Sequence, residues 1–202
     1  MPSTIAVVLA AGAGSRFDGP DHKLLADLDG RSIIEASIDA AVAAEIGPVL
    51  VVTGAVDLRS VVARYQTHSD ASDVTTAHNP DWAAGQATSL QVAVRVAARL
   101  GADAIVVGLG DQPFIDAAAW QAVAASVAPI AIASYGGARR NPVRLHRSVW
   151  HLLPAHGDEG ARSLFRLKAE LVDEVPCQGS ATDIDTREDL QAWQSKSSTN
   201  SP

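Results

Sequence analysis

Cysteine is nearly absent from this 202-residue chain. The single one, Cys177, rules out an intrachain disulfide, and no base stands near it in sequence to make a catalytic thiol. Aromatic residues are only 4% of the chain, while alanine and valine abound, a composition that favours helices packed on a sheet over a β-sandwich. Positive charge is in deficit, with 16 Lys and Arg against 23 Asp and Glu, for a net charge of −7. Such a surface argues against nonspecific nucleic-acid binding, so any cation aimed at a phosphate must be local. No apolar run approaches the roughly 20 residues that cross a bilayer, and no membrane association is expected. The six histidines are scattered, and His151 and His156 lack the i, i+4 spacing of a helical zinc pair. Met1-Pro-Ser-Thr4 runs straight into an apolar segment without a signal-peptide pattern, so the expected location is the cytoplasm.

What is present is alternation. Residues 5–11 (IAVVLAA) are continuously apolar and stop at Gly12, the pattern of a strand buried on both faces. Ser32 and Glu35 form a capping box ahead of a helix whose apolar residues recur at Ile34, Ile38, Ala41, Val42 and Ile46, stopped by Gly47-Pro48. Further strands are predicted at 49–52, 74–78, 104–109, 130–134 and 171–175. Helices are predicted at 58–65, 90–100, 118–127 and 160–169, with a closing helix after Thr186. Alternating strands and helices predict an α/β fold: a three-layer α/β/α sandwich around a mostly parallel sheet. With no linker or repeat in view, residues 1–194 read as one domain, and the polar segment 195–202 reads as a disordered tail.

The first strand leads into Leu9-Ala10-Ala11-Gly12-Ala13-Gly14-Ser15-Arg16, with Lys23 seven residues beyond Arg16. In open α/β sheets ligands bind at the carboxyl ends of strands, and glycines there let backbone N–H groups approach an anion. Arg16 can fork onto phosphate oxygens and Lys23 can act as a point charge. A triphosphate carries about four negative charges, which two fixed cations and a metal would complement. The loop fits no other glycine motif. Pro20 stands where a P-loop needs lysine, Phe17 takes the third glycine position of a dinucleotide fingerprint, and there is no G-x-S-x-G elbow. Asp111 follows the apolar run 104–109, which puts a carboxylate at another strand's carboxyl end. Mg²⁺ prefers one or two carboxylates plus phosphate oxygens and water, which makes Asp111 a metal candidate.

The loop with Lys23 resembles the signature of the MobA-like NTP transferase superfamily, and within it the molybdenum cofactor cytidylyltransferases (the MocA-type branch). Four further blocks carry the resemblance: 79–90, Gly110-Asp111-Gln112-Pro113, Arg140-Asn141-Pro142-Val143 and Gly157-Asp158-Glu159-Gly160-Ala161-Arg162. The stretch from Asp183 to Leu190 also matches, so the likeness runs from Ile5 to about Trp193. Asn141-Pro142 departs from the Gly-His-Pro of some members. The resemblance implies a Rossmann-like nucleotidyltransferase (GT-A-like) fold and transfer of CMP from CTP to molybdopterin, with pyrophosphate released and the product passed to a molybdenum hydroxylase or its accessory proteins. GTP is the alternative donor.

The same resemblance implies roles for particular residues. Arg16, Lys23 and Asp111 are expected to be catalytic. Leu9, Ala10, Ala11, Gly12, Gly14, Ser15, Arg16 and Lys23 are expected to bind nucleotide, joined by Gly85 and Ser89 around the base and ribose, while Thr53 and Gly54 are expected in the same pocket because they end the second strand. Ser89 reads equally as a helix N-cap. Mg²⁺ is expected on Asp111 and Asp185, with Asp183 as the rival second ligand and a helix cap as the other reading of Asp185-Thr186. Arg140, Asn141 and Arg162, with Arg139, are candidates for an anionic acceptor. They also read as a solvated basic turn after a mobile Gly136-Gly137. Trp82 is expected to border the pocket, and Trp120, Trp150 and Trp193 to serve packing. Two other classes stay open on this scaffold: an NAD(P)-dependent oxidoreductase and a non-catalytic chaperone for the molybdenum cofactor.

Overall fold

A computed structural model describes residues 3–18, 22–66 and 74–199. Nine strands are present among the described residues: β1 (Thr4–Ala10), β2 (Asp27–Leu28), β3 (Arg31–Ser32), β4 (Val49–Thr53), β5 (Val74–His78), β6 (Ala104–Leu109), β7 (Ile130–Tyr135), β8 (Ala138–His146) and β9 (Val172–Pro176). The helices are α1 (Ile33–Ala43), α2 (Arg59–Gln66), α3 (Gln86–Arg99), α4 (Ala117–Ala125), α5 (Arg162–Leu167) and α6 (Arg187–Thr199). Seven strands form one sheet in the order β5-β4-β1-β6-β8-β7-β9, while β2 and β3 make a separate small hairpin. β8 runs antiparallel to both neighbours and every other pairing in the large sheet is parallel. The mostly parallel sheet predicted from the alternation is therefore the observed one.

Strand period decides the two cores. On β1, Ala6, Val8 and Ala10 join a cluster with residues of α1, α2 and α4, against which Leu190 and Trp193 of α6 also pack. Ile5, Val7 and Leu9 point the other way, into a cluster with α3 and α5. Both faces of β1 are thus buried, as its unbroken apolar run requires. Ser32 caps α1 as read: its hydroxyl accepts from Glu35 N and the Glu35 carboxylate accepts from Ser32 N at 2.8 Å. Trp120 is buried, Trp193 stacks on Phe114 with ring centroids 3.5 Å apart, and the Trp150 indole N–H donates to the Leu145 carbonyl.

Three readings differ from the structure. The basic turn expected at residues 139–141 is the first half of β8, reached through a turn in which Gly136 and Gly137 have φ of 58° and 84°. Pro142 concealed the strand, because proline lacks the N–H a ladder needs. It is accommodated where the β7–β8 register shifts between Ile132 and Ala133. Helix α3 starts at Gln86, four residues before the expected Leu90, because its first turn is polar and carries no apolar period. The closing helix continues through 195–199, where a disordered tail was expected. The Ser195 hydroxyl donates to the Gln191 carbonyl, and the Gln194 amide donates to the Asp27 carbonyl at 3.3 Å. The rest of that tail, 200–202, lies outside the described residues, as does Pro20, which stands at the lysine position of a P-loop.

No helix among the described residues is long and apolar enough to cross a membrane. Removing the Ser32 hydroxyl breaks the capping box, so Ser32→Ala is expected to lower unfolding free energy by about 1 kcal/mol. Urea denaturation checks this, with the midpoint falling and the slope unchanged.

Candidate active site

The carboxyl ends of β1 and β6 lie side by side, because Thr4–Leu9 pair in parallel with Ala104–Leu109. The chain leaving β1 is the glycine loop, and the chain leaving β6 is Gly110-Asp111. Gly110 N donates to the Leu9 carbonyl and Ser37 Oγ to the Gly110 carbonyl, which fixes Asp111 beside the loop. Lys23 opens a short 3₁₀ turn, Lys23–Leu25, and reaches back across both chain ends. Its Nζ donates to Asp111 Oδ2 at 2.6 Å and to Asp185 Oδ1 at 3.0 Å. Arg16, mostly exposed at the mouth, pairs with the other oxygen of Asp185 at 3.0 Å. Burial opposes the Lys23 charge, but the Asp111 charge and hydrogen bonds to both carboxylates outweigh it, so the ammonium is held above its ordinary pKa.

Asp185 is delivered by the segment before α6. The Ile184 side chain is buried in the core and its N–H donates to the Asp111 carbonyl at 3.0 Å. The helix-cap reading of Asp185 fails. Thr186 Oγ1 accepts from Asp189 N, and Asp189 Oδ2 accepts from Thr186 N, so Thr186 and Asp189 share the cap. Asp185 is left facing Lys23 and Arg16. Asp183, on the other side of Ile184, accepts from Gln112 Nε2 at 2.6 Å and does not touch Lys23. Burial, and then the Asp111 charge, push the Asp183 carboxyl above the usual carboxylate range, against the opposing hydrogen bond from Gln112.

Two contiguous clefts of about 370 and 440 Å³ meet over this centre. Leu9, Ala10, Gly12, Gly14, Ser15, Arg16, Lys23, Asp111 and Asp185 line one. Leu9, Ala11, Gly12, Trp82, Gly85, Ser89 and Asp111 line the other. The expected nucleotide residues therefore converge, with two exceptions. Thr53 and Gly54 line neither cleft: Thr53 is buried at the end of β4, and a Cβ on Gly54 would lie 2.6 Å from the Ala11 carbonyl and 2.8 Å from Trp82 Cβ. Gly54 is a packing glycine that lets the two strand ends close together. Ser89 is not an N-cap, because it sits in the first turn of α3, where its hydroxyl accepts from Asn79 Nδ2 at 2.9 Å.

The acceptor candidates do not form one cluster. Arg139 is paired with Glu174 at 2.6 Å. Arg140 lines a depression with Tyr135, Asp183 and Asp185. Asn141 and Arg162 line a small cavity on the α3 and α5 side, and the Asn141 amide is already donated to Gln112 Oε1 at 2.9 Å. Strand geometry separates neighbours 140 and 141, as it must.

Two residues of the site went unremarked in sequence. His22 accepts at Nδ1 from Leu24 N, so the proton is assigned to Nε2, which donates to the Gly12 carbonyl at 3.0 Å. Burial, with the Lys23 charge, lowers its pKa against the bond to Gly12, which favours that neutral form. Asp158 lines both clefts. It stands on a loop pressed so closely on Gly85 (φ 106°) that a Cβ there would meet Gly157 C at 2.4 Å. The block containing Asp158 matched the family, but only the folded chain puts it across from the glycine loop.

Among the described residues no three His, Cys, Asp or Glu side chains form a ready cage for a metal ion. Asp111 Oδ1 is nevertheless buried without a hydrogen-bond partner, an expensive state for a carboxylate oxygen and one that a cation relieves. Backbone and fixed cations for a polyphosphate, opposed by one carboxylate after a strand and another ahead of a helix, define a nucleotidyltransferase. Residues 6–175 match the MobA-like NTP transferase domain, and the chain belongs to that family. Purine catabolism protein PucB of Bacillus subtilis (strain 168) is 33% identical over 196 residues, spanning 93% of this chain and 94% of its own. The crystal structure of Rv0371c from Mycobacterium tuberculosis H37Rv superposes with a TM-score of 0.75 at 28% identity, covering 95% of this chain and 96% of that one. Another structure of Rv0371c, in complex with manganese, superposes at 0.69 and 25% identity over 94% and 97% of the chains. A nucleotidyl transferase from Methanothermobacter thermautotroptrophicus shares the fold, with a TM-score of 0.79 at 24% identity over 96% and 97%.

Because its folded pKa lies above the ordinary 10.5, Lys23 contributes stability that is full below about pH 10.5 and lost as pH rises through the folded value. Lys23→Met leaves two carboxylates facing each other and is expected to cost about 3 kcal/mol at neutral pH. Chemical denaturation of both proteins across pH 8 to about 12 should show the difference shrinking at the alkaline end.

Proposed function

We propose that this chain transfers CMP from CTP to a molybdopterin-type acceptor, with Mg²⁺, and releases pyrophosphate. The observation that carries this reading is the Lys23 ammonium bridging Asp111 and Asp185 against the glycine loop, with Asp111 Oδ1 unpartnered. The reaction is an in-line displacement. An acceptor phosphate oxygen bonds to the α-phosphorus, the bond from that phosphorus to the bridging oxygen breaks, and pyrophosphate takes the electron pair. No covalent enzyme intermediate is needed, so positioning and charge neutralisation supply the rate.

Loop backbone from Ala10 to Gly14 cradles the nucleotide, Arg16 holds the outgoing pyrophosphate and Lys23 the α-phosphate. Asp111 and Asp185 would hold the divalent ion. Bound there, it neutralises charge developing on the leaving group. Their hard oxygens suit Mg²⁺, and the manganese complex of Rv0371c supports a divalent ion with the same ligand preference. With those carboxylates engaged by a metal, the donors of Lys23 are free for phosphate. Asp185 is the second ligand in this reading, because Asp183 is committed to Gln112.

CTP as donor rests on the likeness of Lys23-Leu24-Leu25 to the cytidylyl branch. Gly85 and Ser89 border the base and ribose. Arg140 faces the acceptor beside Asp185, and Arg162 is kept as an acceptor contact from the opposite side. The reaction runs in the cytoplasm, on one catalytic domain spanning 1–194, and a molybdenum hydroxylase receives the product.

Pyrophosphate release with CTP, Mg²⁺ and molybdopterin, repeated with GTP and after EDTA, tests the reading. Turnover should be faster with CTP and stop on chelation. Asp111→Ala is expected to lower turnover by at least about 10²-fold, and near-normal turnover in that variant would break the metal assignment. Nucleotide binding without pyrophosphate release would point instead to a chaperone.

A further inference from the structure

Gln112 follows the metal-site carboxylate in sequence, yet it is 3% exposed and lines neither nucleotide cleft. A buried amide must place two N–H donors and an oxygen, and here all three are used, on β8 and on the segment before α6. Its Oε1 accepts from Asn141 Nδ2, on β8, at 2.9 Å. That bond fixes the amide orientation, so the nitrogen faces the segment before α6. Nε2 donates to Asp183 Oδ1 at 2.6 Å and to the Ala181 carbonyl at 3.4 Å. The backbone adds a parallel tie, from Ile184 N to the Asp111 carbonyl at 3.0 Å.

Segment 181–184 is therefore fastened to residues 111 and 112 at three points, Ala181, Asp183 and Ile184, and the residue carried beyond the last of them is Asp185. No regular secondary structure joins the two segments, so these ties, with the buried Ile184 and the Lys23 bridge, are what keep the Asp111 and Asp185 carboxylates close. Two carboxylates facing each other repel, and Lys23 alone would let them part when it turns to a phosphate.

We infer that Gln112 is a positioning residue: through Asp183 and Ala181 it holds Asp185 at the spacing a divalent cation needs, braced from behind by Asn141. This rests on the metal assignment made above. Asp183 acts in this arrangement as the acceptor that Gln112 grips, and Asn141 as an anchor of the metal site in addition to any contact with acceptor.

The test uses Mn²⁺ alone, without nucleotide or acceptor, titrated into the full chain with free Mn²⁺ followed by electron paramagnetic resonance. Supports of this kind commonly change metal affinity 10- to 100-fold, so Gln112→Ala should weaken Mn²⁺ binding by about tenfold or more. Gln112→Glu, which sets a second charge against Asp183, should weaken it at least as much. Asp183→Asn keeps an oxygen for the Gln112 amide and should stay within about twofold of the unaltered chain, whereas Asp185→Asn should lose the site. In turnover assays Gln112→Ala should need more metal for half-maximal rate while KM for CTP at saturating metal is little changed. Should Gln112→Ala fail to melt cooperatively, Asn141→Ala removes the brace from a less buried position and should shift Mn²⁺ affinity in the same direction, by about threefold.

Unchanged Mn²⁺ affinity in folded Gln112→Ala or in Asn141→Ala would overturn the assignment, as would Asp183→Asn proving as damaging as Asp185→Asn. If Asp111→Ala leaves Mn²⁺ affinity intact, the metal site itself is wrong and the positioning role falls with it. If Asp111→Ala abolishes binding while Gln112 is indifferent, only the positioning role falls.

Discussion

One ammonium group holds the site together. The Lys23 Nζ lies between two carboxylates, from Asp111 and Asp185, which stand 88 and 162 residues beyond it in the chain. Bringing two aspartates to one point is unfavourable unless a cation stands between them, and burial raises the cost. That constraint explains why the lysine is tied down by its neighbours. His22, on the preceding residue, links the loop carbonyl of Gly12 to Leu24 N, so loop and lysine are held as one unit. Such an arrangement is costly for stability and is what a site built to receive a cation and a polyphosphate requires.

The sheet supplies the platform. Parallel pairing of β1 with β6 puts both chain exits at the same edge, and the antiparallel β8 beside β6 brings a strand in from the opposite direction. Because β8 runs opposite to β6, its first residues lie at the carboxyl end of β6, and Arg140 and Asn141 reach the same region as Asp111 on different faces of the sheet. The depression beside Arg140 and the cavity beside Asn141 thus open on opposite sides of one strand.

Charge is distributed to match. The chain is acidic overall, at −7, and the cations that matter, Arg16 and Lys23, sit beside the glycine loop. Asp158 adds a carboxylate across the clefts. A few fixed donors in place of a broad basic field suit a small, multiply charged ligand better than a nucleic-acid backbone.

Local features were legible in the sequence wherever one segment carried its own signal. The apolar run of β1, the Ser32 capping box, the glycine loop with Arg16, and the strand ending at Asp111 all depend on neighbours within a few residues, and all stand where the sequence put them. Strand β8 was hidden because Pro142 and the arginines break the apolar alternation, and its pairing with β6 and β7 comes from residues far off in the chain. Thr53 and Gly54 looked like pocket residues because they end a strand, but Ala11 and Trp82 occupy the space beside Gly54. The resemblance favoured Asp185 over Asp183, but where each side chain points belonged to the tertiary structure. Both are acidic and two positions apart, and only the burial of Ile184 between them sends one to Gln112 and the other to Lys23. By itself the sequence determined the chemistry available: a phosphate loop, two cations and a supply of carboxylates. Which carboxylates face one another was left to packing, because that depends on which side chains the core buries.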